Sequence, residues 1–260
     1  MNRFSTTFFA AILAASLFAA CDQQQPGPAV VVRAAATTTA TATAASWPPP
    51  APANMPVAAN LLADNWVFVM DASGSMGDSS CGTGGKARME TAKAGAIKFS
   101  RSIPGSANLG LVVFSDADRG GISEWLKLGI GPGNRSEFAR LVNGIRPYGN
   151  TPLRGSAELG VQILTEQAQR QRGYGTYHLV IVTDGEANRG GNPASYVKGV
   201  VQQTPIAVHV IGFCVDGGHS LDIKGFTQYA SANNPETLDR GLKAILAESE
   251  AYKDSQFVKQ

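Results

Sequence analysis

Three segments of the chain carry side-chain oxygens that could together hold one divalent cation. The first is Asp71-x-Ser73-x-Ser75, and the other two are the loops around Thr151 and Asp184. A small hard cation such as Mg2+ takes six oxygen ligands and keeps some of its waters, so hydroxyl and carboxylate groups suit it. The candidate ligands are therefore these five side chains, and the candidate ion is Mg2+, Mn2+ or Ca2+.

The segments that position these residues alternate between strand and helix patterns. Residues 66–70 are a continuous apolar run, as a strand buried on both faces of a parallel sheet requires, and residues 178–183 are predicted to be the central strand. Further strands are predicted at 109–114, 123–128, 206–213 and 225–230, and helices at 87–102, 136–144, 152–171, 193–203 and 235–249. Gly74 is expected to permit a sharp turn after the first strand.

This alternation predicts an α/β fold. We expect a three-layer α/β/α sandwich with a doubly wound, mostly parallel sheet and one antiparallel edge strand at 123–128. Ligands of such open sheets bind at the edge where the carboxyl ends of the strands meet. Asp71, Thr151 and Asp184 are predicted to arrive at that edge.

The five candidate ligands, in this order, resemble the metal-ion-dependent adhesion site of the von Willebrand factor type A (vWA) family. The resemblance covers residues 60–250, and residues 251–260 are predicted to be a tail. It implies that Ser73, Ser75 and Thr151 bind the ion directly, while Asp71 and Asp184 act through water and hydrogen bonds. It also implies an open coordination position, which an Asp or Glu of a partner protein fills.

Other interpretations of the same residues remain open. The three loops could hydrogen-bond to each other without an ion. A metal-dependent hydrolase would need a general base, for which Glu186 is the nearby candidate. Some similar domains serve AAA-type ATPases in the cytoplasm, which an export signal disfavours. The binding module is preferred, and no enzyme activity is expected.

The amino terminus is predicted to export the domain. Residues 1–20 combine Arg3 with an apolar run and resemble a bacterial lipoprotein signal that ends before Cys21. A simple cleaved signal and an uncleaved anchor are alternatives. If Cys21 is acylated, residues 21–59, which are rich in Ala, Thr and Pro, form a disordered tether to a membrane that faces the periplasm or the cell exterior.

The charges and the remaining cysteines give weaker signals. A formal net charge of +2 indicates no nucleic-acid partner. Lysines and arginines along the first predicted helix are interpreted as a solvated face, namely Lys86, Arg88, Lys93, Lys98 and Arg101. Cys81 and Cys214 are both predicted near the metal-bearing edge, where they could form a disulfide or remain two separate thiols.

The segment between Cys214 and Phe226 departs from the vWA pattern. The resemblance implies another helix there, but the sequence leaves room only for a turn. We therefore expect the last strands to be less covered than in similar domains.

Overall fold

The computed structural model describes residues 46–81, 84–117, 124–215 and 218–257, with the side chains of 249–257 excepted. The predicted signal peptide and Cys21 lie outside these residues. Among the described residues, no helix combines the length and apolar composition needed to cross a membrane.

A six-stranded sheet forms the centre of the domain. Its strands, in chain order, are β1 (Asp64–Asp71), β2 (Asn108–Phe114), β3 (Glu124–Gly131), β4 (Thr176–Thr183), β5 (Ile206–Phe213) and β6 (Gln228–Ala232). Their order across the sheet is β3-β2-β1-β4-β5-β6, and only β3 runs antiparallel to its neighbour. The predicted fold class, including the antiparallel edge strand, is confirmed.

Helices cover both faces of the sheet. They are α1 (Arg88–Ser102), α2 (Arg135–Asn143), α3 (Leu153–Arg170), α4 (Ala194–Gln203) and α5 (Pro235–Phe257). Successive side chains of a strand point to opposite faces. Thus Trp66 and Phe68 of β1 join a core with α1, α2 and α5, whereas Val67 and Val69 join a second core with α3 and α4.

The domain begins earlier than the sequence predicts. Residues 46–59, which composition assigns to the disordered tether, pack on the domain. The Trp47 ring meets the Tyr177 ring edge-on, with centroids 4.9 Å apart, and the Ala58 N–H donates to the Arg170 carbonyl at 2.9 Å. The prediction of disorder failed because Trp47, the only aromatic residue of this segment, packs on Tyr177, which is more than a hundred residues away.

The short segment after β5 packs against the domain core. Its described residues, 218–227, form turns rather than a helix. His219 and Leu221 are nevertheless buried, and Leu221 joins the core beneath α3 and α4. The predicted turn is confirmed, and the lower coverage expected relative to similar domains stays a prediction.

Candidate metal centre

Asp71, the last residue of β1, holds the segment 71–75 in place through hydrogen bonds. Its carboxylate is fully buried, and Oδ1 accepts the Ser73 N–H at 2.7 Å. Oδ2 accepts the hydroxyl of Thr183, the last residue of the adjacent strand β4, at 2.6 Å. Both oxygens thus hold protein groups in place.

The two serine hydroxyls lie side by side at the end of β1. Their oxygens are 3.1 Å apart, and the Ser75 hydroxyl donates to Asp184 Oδ1 at 2.8 Å. A hydroxyl has a single proton, so Ser73 must be the donor in the bond between the serines. Asp184 thereby accepts the Ser75 proton in a hydrogen bond, and the Ser75 oxygen accepts one hydrogen bond from Ser73 and keeps one lone pair available.

Gly74 begins a short 3-10 turn after β1, as expected of a turn at this place. Its φ angle is not left-handed, and a Cβ there would lie 3.6 Å from the Gly149 carbonyl, which is an ordinary contact. The left-handed residue is Gly149 itself, with φ +78°. Gly149 accepts the Gly74 N–H at 3.1 Å, and this bond places the loop that carries Thr151 beside the serines.

Thr151 is held by its backbone. Its N–H donates to Asn188 Oδ1 at 2.8 Å, and its carbonyl accepts the Asn188 N–H at 3.2 Å. The carbonyl of Asn150 also accepts the Ser115 hydroxyl. Thr151 is buried, yet its own hydroxyl forms no hydrogen bond with another residue that the structure describes. The oxygen expected to bind the ion is therefore uncommitted.

Arg88 is part of the centre, and the prediction of a solvated side chain is wrong for this residue. Its Nη1 donates to Asp184 Oδ2 at 2.9 Å, and its side chain is only 14% exposed. Nη2 donates to Ser80 Oγ at 3.1 Å. The first residue of α1 faces inward because the preceding loop folds over the sheet edge, which helical periodicity alone does not reveal.

The electrostatics of the centre fit a cation. Burial, and secondarily the nearby Asp184 charge, raise the pKa of Asp71 to about 6, although hydrogen bonds from Ser73 and Thr183 oppose this. A cation placed between the two carboxylates would favour the ionised form of both. Among the described residues, no three His, Cys, Asp or Glu side chains form a metal cluster. A site here therefore depends on alcohol oxygens, which suit a hard ion.

Comparison with known proteins gives the family. The sequence model of the von Willebrand factor type A domain matches residues 65–245, which is most of the chain. The chain belongs to the vWA family. The match begins in β1 and ends in α5, so it spans the sheet and all three loops of the candidate metal centre. We call this centre, formed by the loops of Asp71 to Ser75, Thr151 and Asp184, the vWA centre.

The chain is also similar to a curated relative and to two solved structures. The chain is 28% identical to the uncharacterized protein YwmD of Bacillus subtilis over 200 residues, covering 70% of this chain and 85% of YwmD. The minor pilin PilB of Streptococcus sanguinis is 17% identical, with a TM-score of 0.56, over 78% of this chain and 64% of the pilin. The pilus adhesin SpaC of Lactobacillus rhamnosus GG is 16% identical, with a TM-score of 0.53, over 74% of this chain and 30% of the adhesin. At such identities the two structures show only the fold.

A disulfide lies beside the vWA centre. Cys81, in the loop before α1, is bonded to Cys214, directly after β5, with Cα atoms 5.8 Å apart. Of the two alternatives left open by the sequence, the structure has the bonded one. The bridge ties the loop that carries Ser80 to the sheet edge.

Sequence reasoning missed three supporting residues. Thr183 and Asn188 orient Asp71 and Thr151 through hydrogen bonds, and Arg88 pairs with Asp184. Thr183 and Asn188 flank Asp184 in the sequence, and this proximity was a usable signal. Nothing local marks Arg88, because its partner is 96 residues away.

Proposed function

We propose that this vWA domain binds one divalent cation and uses it to capture an acidic side chain of a partner protein. Ser73, Ser75 and Thr151 supply the direct ligands, and Asp71 and Asp184 hold these groups and the ion's waters. The observation that carries the proposal is the hydrogen-bonded cluster Asp71, Ser73, Ser75 and Asp184, with the uncommitted Thr151 hydroxyl in the adjoining loop.

The proposed residues have two roles: three alcohols bind the ion, and two carboxylates orient these alcohols. When bound, the ion supplies a Lewis-acidic position that a carboxylate oxygen can occupy. Asp71 fixes the backbone at Ser73, and Asp184 draws the Ser75 proton away from the ion. Since both carboxylates already accept hydrogen bonds from the protein, neither needs to neutralise the ion by direct contact. An Asp or Glu of the partner then completes the coordination.

The proposed setting is the cell surface. The structural relatives include a pilus adhesin and a minor pilin, which is consistent with a protein-interaction module on an exported protein. We further propose that Cys21 is acylated and anchors the domain to a membrane. A Cys21→Ser variant should then move from the membrane fraction to the soluble exported fraction, and an unchanged distribution would contradict the anchor.

Capture that depends on the ion tests the proposed function. The immobilised protein should retain partner proteins from a membrane extract in Mg2+ and release them in EDTA. Thr151→Ala should abolish retention, because it removes one of the three direct ligands while leaving a small buried side chain.

Glu186→Gln is the matched control. In the wild type, Glu186 Oε1 accepts the Ser220 N–H at 2.5 Å, and the side chain is 47% exposed. Glu186 takes no part in the hydroxyl cluster. Retention should therefore survive in Glu186→Gln. Retention that survives EDTA, or that survives Thr151→Ala in a folded protein, would refute the metal bridge. Metal-dependent turnover lost in Glu186→Gln would instead favour the hydrolase.

A further inference from the structure

We propose that Arg88 is an internal counter-cation that weakens ion binding at the vWA centre and makes retention of the ion depend on the partner's carboxylate. This inference rests on the proposed function. It assigns to Arg88 a role in setting specificity for an acidic ligand, although Arg88 is not itself a metal ligand.

Arg88 reaches the centre through Asp184. The guanidinium donates to one carboxylate oxygen at 2.9 Å, and the Ser75 hydroxyl donates to the other at 2.8 Å. Only one carboxylate and one hydroxyl therefore separate the arginine charge from the ion position. The Asp184 side chain is fully buried and that of Arg88 nearly so, which limits screening by solvent.

The position of Arg88 is built into the fold. The Arg88 N–H donates to the Asp78 carbonyl at 2.8 Å, and the guanidinium donates to Ser80 Oγ at 3.1 Å. The adjacent Cys81 is bonded to Cys214 at the end of β5. The backbone bond and the disulfide fix where the arginine begins, and its charge cannot move into solvent without breaking the side-chain bonds to Ser80 and Asp184.

The net charge of the centre follows from a count of its charged groups. Asp71 and Asp184 together carry two negative charges when ionised, and Arg88 offsets one of them. A divalent ion therefore leaves the centre with one excess positive charge. A carboxylate from the partner brings the total to zero, whereas a neutral oxygen ligand does not.

Ion and partner must then reinforce each other. If a carboxylate strengthens binding of the ion, the ion strengthens binding of the carboxylate by the same factor. A centre without Arg88 would hold its ion more tightly and depend less on the acid. Arg88 thus lowers the affinity of the centre for the free ion and raises its selectivity for a negatively charged partner.

Titration with Mn2+ tests this role without any partner. The full exported chain is compared with two variants that remove the charge, Arg88→Gln and Arg88→Met, and with one that keeps it, Arg88→Lys. Free Mn2+ is followed by electron paramagnetic resonance. We expect about tenfold tighter binding when the charge is removed, and binding within about threefold of wild type for Arg88→Lys.

Arg140→Gln is the matched control. Arg140 also pairs with a carboxylate, Glu137, but this pair is exposed on α2. Its removal should leave Mn2+ binding unchanged. Any charge-removing variant that keeps the circular dichroism spectrum and thermal transition of the wild type is sufficient for the comparison.

The outcomes separate the inference from the proposed function. If wild type binds Mn2+ and the folded charge-removing variants bind no more tightly, the role of Arg88 is wrong and the metal centre stands. If Arg88→Lys tightens binding as much as Arg88→Gln, geometry rather than charge is responsible, and the inference also fails. If neither wild type nor any variant binds Mn2+, both are refuted.

Discussion

Ser75, a proposed metal ligand, shows how neighbouring groups orient an alcohol side chain. Its proton is donated to Asp184, and Ser73 donates to its oxygen in turn. The orientation of these protons follows from having one proton per hydroxyl. The same carboxylate also meets Arg88, so a single aspartate sets both the direction of the ligand and the local charge.

A different residue, His209, gives a prediction about pH. This histidine of β5 is 1% exposed and lies near the rings of Trp66 and His178. Burial lowers its pKa from 6.5 to about 4. Below pH 6.5 the unfolded chain therefore takes up a proton that the folded chain refuses, and the free energy of unfolding falls until the pH reaches about 4.

The expected loss is measurable by urea unfolding. Between pH 7 and pH 5, His209 should contribute a decrease of about 2 kcal/mol in the free energy of unfolding. His209→Leu should remove this part of the decrease, although the variant's stability at pH 7 can differ. If wild type and His209→Leu lose the same free energy over this range, His209 is not the titrating group.

At the scale of elements, the loop before α1 is fixed to the sheet by its disulfide. The bridge between Cys81 and Cys214 spans a sequence separation of 133 residues. A double Cys→Ser variant should be about 3 kcal/mol less stable, because the unfolded chain regains the freedom of a long loop. Urea unfolding of oxidised wild type and of the variant gives this difference.

Reduced wild type is the control for the serine substitutions. It should unfold at the urea midpoint of the double variant, since the two chains differ only in the side chains at positions 81 and 214. Equal midpoints for oxidised and reduced wild type would show that the bridge contributes nothing to stability.

The ends of the strands explain why much of the centre could be predicted. Asp71 ends β1 and Asp184 directly follows β4, and these strands are neighbours in a parallel sheet. Apolar runs in the sequence mark such strands, so the meeting of their ends follows from fold class. Arg88 could not be predicted, because its orientation depends on how the preceding loop closes over the edge.

At the scale of the molecule, the chain enters the domain at the end opposite the metal centre. Residues 46–59 contact Arg170, the last residue of α3, and Tyr177, near the start of β4, whereas Asp184 follows the end of that strand. Eight strand residues span roughly 26 Å. The candidate metal centre therefore lies about one strand length from the place where residues 46–59 pack on the domain.

The boundary of the domain was the part that composition misjudged. Trp47 is the only aromatic residue in the segment 46–59. Its packing depends on Tyr177, which is distant in sequence. Composition describes an average over a segment, whereas the contact of one large side chain shows that this segment packs on the domain.

Calorimetric titration of the purified chain with Mg2+ and Mn2+ tests the central claim most directly. One ion should bind per chain, and Asp71→Asn should weaken binding by about tenfold to a hundredfold, as expected for a group that orients metal ligands. Asp78→Asn, at an exposed carboxylate in the same loop, should bind like wild type. No binding by the wild type, or equal loss in Asp71→Asn and Asp78→Asn, would contradict the account.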